Sequence, residues 1–473
     1  MLRELVLKEI HDNMVNLRFV LASAACIVLI VVSVAILEAA YRALERDYRV
    51  RVVQQDEFID RYGHMNRAQW LARAMREPEL FQSLVLGLRS DSDDNNFISN
   101  PAAALLPRLD FATIVMVIAS LVAVLFTYSS VSGEREAGTL RLMLAAGLPR
   151  GTFILGKTIG GMVSMLLPFT IGYLAGILYL VAGAGVPLDG PTAAVFGLIL
   201  AASWLYVSIF TGLGLFCSST SSTSAQAVLK GLLGWVLLVL VMPNVSPFLA
   251  AQLKSVPSAA WVEQATERIT SEERDRILED RATGMRTSRY ADLGDLPHLR
   301  KSDIEQKVAA DPVFRERYAS YSREYEEIVR TVNVEQGEKA GRITDEFRKA
   351  SEAQERLATL LASLSPAGDL TFLLTRIAGT GIEAENHWAR MAAEYDNAYW
   401  SFVEARYKSE QAAHPAFGSN DHLDLRGRPR FSYHPEGIGE RLQAGLPRLC
   451  ALVFFVVLFP AAALLSIRRY DVR

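Results

Sequence analysis

Long apolar runs alternate with charged islands along the chain, and that alternation predicts most of its elements. Six runs are long enough to cross a bilayer as helices, which takes about 20 apolar residues. They cover residues 17–40, 111–131, 153–182, 191–217, 228–245 and 446–467. Pro168 predicts a kink in the third, and Pro243 and Pro247 predict the end of the fifth. In residues 1–16, Leu2, Leu5, Val6, Ile10 and Met14 form one stripe, with Arg3, Glu4, Lys8, Glu9 and Asp12 elsewhere on the wheel. That is the pattern of an interfacial helix in front of a span. A cleaved signal peptide is the competing interpretation; the amphipathic lead-in and the length of the first run favour a retained anchor. Arg18, at the entry to that run, can snorkel to the interface.

Between the second and third runs lies a short charged island, residues 132–157. Glu134, Arg135 and Glu136 come first, and Leu140, Met143 and Leu144 then recur at helical spacing with Leu142 beside them. Gly147 and Pro149 end that pattern. The island therefore reads as a short amphipathic helix on the membrane surface, its charged start facing water.

Two polar segments interrupt the runs. Residues 41–108 open with charged helix and continue through the loop at 90–96. Residues 246–445 are the size of a domain. Ser258 predicts a helix cap there. Asp311-Pro312 opens a long charged helical pattern carrying Tyr318, Tyr321 and Tyr325, with Gly337 and Gly341 as expected breaks and Ser365-Pro366 as its stop. A less polar stretch follows at 370–378, then an aromatic-rich helix at 383–411 and a loop at 412–440. Strand signals are almost absent and no internal repeat is found. The expected fold is an all-α membrane protein, six transmembrane helices with mainly helical extracytoplasmic insertions. It divides into an interfacial helix and first span (1–40), a first outer segment (41–108), spans two to five with the 132–157 loop (109–245), a helical outer domain (246–445) and a sixth span with its tail (446–473).

Lysine and arginine near the span ends set the orientation. With the N-terminus inside, Arg3, Lys8, Arg18, Arg135, Arg141, Arg150, Lys157, Lys230, Arg468 and Arg469 all fall inside, and the short turn at 183–190 carries no positive charge. Both termini are thus expected in the cytoplasm, with the outer segments beyond a bacterial inner membrane. Arg18, Arg150, Lys157, Arg468 and Arg469 are the expected interface anchors. Averages over the 473 residues, 51% hydrophobic and 21% charged with a formal net charge of −3, would suit a soluble protein; the blocked distribution excludes one. The near-neutral balance gives no sign of a nucleic-acid partner. Cys26, Cys217 and Cys450 lie inside or at the end of apolar runs, where packing accounts for them.

Candidate chemistry is sparse. Residues 151–158 match the phosphate-loop pattern G-x-x-x-x-G-K-[ST] letter for letter. Such a loop follows a buried strand, whereas an amphipathic helix precedes this one and a span follows, so anchoring by Arg150 and Lys157 is the better account. The Asp run at 91–94 lacks the glycine and terminal glutamate of a calcium loop. His414, His422 and His434 share one outer segment with Asp421 and Asp424 but show no ligand spacing, so they read as polar loop residues and no metal is expected. No nucleophile elbow or paired acid stands out.

The run Gly-Glu-Arg-Glu-Ala-Gly-Thr-Leu-Arg at 133–141, the Leu-Pro-Arg and Gly-Lys after it, the amphipathic lead-in and the six-span layout resemble an ABC type-2 transporter permease. Relatives in that family are associated with multicopper enzyme maturation. Residues 364–367, 377–381 and 429–433 are similar to a subset with a large outer domain between spans five and six. The resemblance implies a permease that lacks a nucleotide-binding domain, works as an exporter, and is driven by a separate ABC ATPase subunit holding ATP and magnesium. A second permease copy would complete the path. It also implies that Glu134, Arg135, Glu136, Thr139, Leu140 and Met143 form the ATPase-coupling surface. A second expectation is mechanical transmission to a periplasmic partner through the outer domain, without moving a substrate.

Overall fold

A computed structural model describes residues 2–65, 72–87, 109–293, 296, 300–414, 417 and 421–468. Arg469, His298 and the Asp run at 91–94 lie outside the described residues. Among the described residues, helices account for every regular element except one antiparallel bridge between His64 and His422. In chain order the elements are α1 (Leu2–Val15), α2 (Leu17–Tyr62), α3 (Phe111–Glu136), α4 (Thr139–Ala145), α5 (Arg150–Gly183), α6 (Gly190–Ser219) and α7 (Ser224–Leu253). There follow α8 (Ala259–Arg268), α9 (Arg274–Arg289), α10 (Lys301–Ala310), α11 (Pro312–Ala362), α12 (Pro366–Ala378), α13 (Ile382–Ala413) and α14 (Ile438–Arg468). Six of these, α2, α3, α5, α6, α7 and α14, are long and apolar enough to cross a membrane.

The chain forms two compact units, Met1–Asn244 with Ala362–Arg473, and Val245–Leu361. In the first, α6 is the central span, packed against α3, α5, α12 and α14. The core joins Phe19 and Ile30 of α2, Phe111 and Ile114 of α3, Tyr173 of α5, Tyr206 and Phe210 of α6, Trp235 of α7, Leu374 of α12 and Leu452 of α14. Polar groups of the large aromatic side chains inside this apolar interior find carbonyl or hydroxyl partners, as their desolvation requires. Tyr173 donates to Phe196 O at 2.8 Å and Trp235 Nε1 to Ser120 Oγ at 2.8 Å. The π stretch Ile114–Ala119 widens α3 where Met116 O accepts from Tyr206 Oη at 2.9 Å.

Several boundaries differ from the sequence expectations. The helix of the first span does not end near residue 40: α2 continues without a break into the charged helix that follows, one helix of 46 residues, because nothing between Ala40 and Tyr62 breaks it. The fifth span continues past Pro243 and Pro247 to Leu253. The π stretch Val236–Val241 sits just ahead of Pro243, where a wider turn gives the ring room. The sixth span begins at Ile438 and carries Pro447 and Pro460 within it. Gly337 and Gly341 do not break α11, which is continuous over 51 residues; each costs about 1 kcal/mol in a helix, too little to end one. Pro168 lies inside a continuous helix.

The segment 246–445, expected as one domain, divides. Val245–Leu361 is its own unit, while the remainder belongs with the span bundle. There α12, 13 residues and about 20 Å long, is too short to cross a bilayer. It packs instead against α6 and α14, with Leu370, Leu373, Leu374 and Ile377 buried. Ser365 caps it, accepting from Ala367 N and donating to Leu238 O of α7. In the Val245–Leu361 unit, Ser258 caps α8 as expected. Met285, Tyr290 and Leu293 form a small core with Phe314, Tyr318, Tyr321 and Tyr325 of α11.

Candidate functional site

The 132–157 island folds as two short helices joined at Gly138. The last turn of α3, Ser132–Glu136, is fastened to the start of α7 and the end of α6. The Val131 and Ser132 amides both donate to Ser218 Oγ at 2.9 Å. The Arg135 guanidinium donates to the Ser219 and Ser221 carbonyls. Glu136 accepts from Ser224 N at 3.0 Å and Ser224 Oγ at 2.6 Å, at the N-terminus of α7, where a carboxylate offsets unpaired amides.

Both bends around α4 need glycine. Gly138 has φ 73° and Gly147 φ 85°, the left-handed region that other residues adopt at a cost. At Gly147 the Leu148 amide bonds to Met143 O and the Gly147 amide to Leu144 O, both at 3.2 Å. That pairing is the Schellman closure of a helix C-terminus.

Within α4 the side chains divide by direction. Leu140 is fully buried among Val131, Phe153, Ile154, Leu215 and Ile467, and Met143 and Leu144 pack partly on the same cluster. Leu142 is 71% exposed, beside exposed Arg141, Ala145 and Ala146. Of the expected coupling residues, Glu134, Arg135, Thr139 and Leu140 therefore point into the bundle or bond within it, Met143 is half-buried, and Glu136 is exposed but engaged by Ser224. The outward face is Arg141, Leu142 and Ala145. The sequence carried the signal: at 100° per residue, Leu142 falls opposite Leu140, Met143 and Leu144.

The expected anchors also separate. Arg18 is exposed just past the Asn16 cap, and Arg468 is exposed at the end of α14, its carbonyl accepting from Arg150. Lys157 is buried in the bundle. Its side chain is 4% exposed and pairs with Glu9 of α1 and, at 3.2 Å, with Glu134. Lys8 lies 3.5 Å from the same Glu134 oxygen. A buried ammonium needs such partners; a helix-long view of Lys157 alone does not reveal them. The phosphate-loop look-alike 151–158 lies wholly inside α5, so it is helix and not the loop between strand and helix that cradles a phosphate.

Among the described residues no group of three or more histidine, cysteine or acidic side chains could hold a metal. His422 bonds Asp60 O at 3.0 Å and His434 bonds Ser432 O at 3.1 Å.

Comparison with known proteins fits this architecture. The sequence model described as ABC-2 family transporter protein matches residues 3–388. A probable ABC transporter permease protein NosY from Pseudomonas aeruginosa is 31% identical over 121 residues, 26% of this chain and 44% of the relative. Its counterpart from Stutzerimonas stutzeri is 30% identical over 167 residues, 34% of this chain and 59% of the relative. The chain thus spans about half the length of the curated relatives it matches.

Proposed function

The chain belongs to the ABC-2 family of transporter proteins, a multi-pass membrane protein, and from that membership we propose that it is the permease subunit of an ATP-driven exporter whose ATPase is a separate chain. The island and both termini face the cytoplasm in this reading, and the membrane is a bacterial inner membrane. ATP and magnesium are held by the partner, and a second permease copy completes the path. The ATPase docks on the outward face of α4. The observation that carries the proposal is the exposure of Leu142 and Arg141 on a helix whose opposite face is locked into the bundle by Leu140. An exposed arginine beside an exposed leucine, on a helix set between two glycine bends, suits a protein partner.

The test is co-purification. The tagged permease and its ATPase are co-expressed, solubilised mildly and captured through the permease. Leu142→Asp is expected to lose the ATPase while the permease keeps its thermal stability. Retention of the ATPase at wild-type stoichiometry would sink the α4 docking face. Reversing Glu134 or Glu136 is a poorer test, because both carboxylates hold the island together.

A second reading has its own observation. Val245–Leu361 is a separate compact unit containing a helix of 51 residues, more than an export path alone requires. In that reading the complex transmits ATPase motion to a periplasmic partner without moving a substrate. ATP-dependent transport by purified complex in vesicles would argue against it.

A further inference from the structure

The lysine of the phosphate-loop look-alike has a different task. α1 lies along the first turns of α5 in a fixed register. Leu5 meets Gly156, Glu9 meets Gly160, and Asn13 Nδ2 donates to Ser164 Oγ at 3.1 Å. Both rows step by four residues in the same order, so the two helices run in the same direction, a row of larger α1 side chains against a row of small ones. The fit is close. A Cβ added at Gly156 would come within 2.3 Å of Leu5 Cδ2, and one at Gly160 within 2.5 Å of Glu9 Cβ. An interfacial helix merely resting on the membrane would need no such match. At the centre of this contact Lys157 holds Glu9 of α1 with one side of its ammonium and Glu134 of the island with the other. The Phe153 ring, 5.7 Å away, covers it.

We propose that Lys157 is a positioning residue that joins α1, the island and α5 into one mechanical body. This rests on the reading that the island receives the ATPase's motion. Without the ammonium, two carboxylates would face each other in a buried site, where like charges either part or take up a proton. α1 would then keep its small-residue row with the Asn13–Ser164 hydrogen bond and the Lys8–Glu134 pair, whose ammonium is half exposed and so holds little. The island would stay in place, because Leu140, Arg135 and Glu136 fasten it independently of Lys157. Loss of Lys157 should therefore spare docking and break transmission, a separation that a merely stabilising residue would not produce.

The experiment uses the full-length permease co-expressed with its ATPase, in nanodiscs, followed by hydrogen exchange with and without ATP, magnesium and vanadate. In Lys157→Met and Glu9→Gln, exchange across residues 2–15 is expected to rise about tenfold over wild type, since local opening sets the rate. Arg3→Gln, an exposed change on the same helix, should leave it unaltered. The ATPase should still co-purify with both clasp variants, while the nucleotide-dependent change in exchange along α5 disappears. The proposal is overturned if exchange of α1 in the variants stays within about twofold of wild type, or if the nucleotide response of α5 persists. Should Lys157→Met not be recovered as a monodisperse protein, Glu9→Gln, which keeps the Lys157–Glu134 pair, carries the same test. If no ATPase accompanies the wild-type permease, the functional reading fails, yet exchange of α1 still decides the clasp.

Discussion

Two regions of this molecule use the same side chains to opposite ends. In the Val245–Leu361 unit, Arg281 forks onto Glu335, Arg289 pairs with Glu324 and Arg317 with Asp292, all largely open to solvent. At the island, Lys157, Glu9 and Glu134 make the same kind of contact almost out of reach of water. Exposed pairs gain little, because water and salt screen them and long side chains lose freedom in forming them. A buried pair strongly resists loss of one partner, since the other is left charged and unsolvated. The charges of the Val245–Leu361 unit keep a long helix soluble, whereas the island's charges fix three elements in one arrangement.

That contrast can be broken in measurable ways. The largest effect is expected from Lys157→Met, about 3–5 kcal/mol of stability by thermal unfolding in detergent, against less than about 1 kcal/mol for Arg281→Ala. Equal losses would erase the distinction. Next, Leu140→Ala should cost about 2–5 kcal/mol through the cavity it leaves, whereas Leu142→Ala should stay within about 0.5 kcal/mol and act only on ATPase capture. Glycines sharpen the comparison further. Gly160→Ala should destabilise by about 1–3 kcal/mol because Glu9 must move aside, whereas Gly337→Ala, with open space around it, should stabilise α11 by up to about 1 kcal/mol. The smallest effect is a pH response. The hydrogen bond from Arg317 holds the Asp292 carboxyl below its ordinary range. A lowered folded-state value means the contribution is present above the unfolded carboxyl range and fades as pH falls through the folded one. Acid titration of the wild type against Asp292→Asn should therefore converge at low pH.

How much of this was legible follows from range. The six spans were readable because a run of apolar residues is a local signal, and Ser258 and Gly147 announced their caps by residue type. Pro243 and Gly337 misled, since a break signal can be overridden by a π turn or by a helix long enough to absorb it. The burial of α12 was hidden because 13 mixed residues average neither as a span nor as a surface helix. The burial of Lys157 was hidden because its partner Glu9 is 148 residues away in the chain. The outward direction of Leu142, with Arg141 and Ala145 beside it, was already contained in the helical wheel.

One consequence concerns α2. As a single helix of 46 residues it is a rod about 69 Å long, and about 33 Å of it extends past residue 40. Near its far end Ile59 is buried with Tyr399, Val403, Leu423 and Leu425. A rod without a joint converts rotation at one end into travel at the other. Tilting the membrane part by roughly 5° would carry Ile59 and its neighbours sideways by about 3 Å, half the pitch of a helix turn. The gearing of the first unit is thus set by the length of one uninterrupted helix.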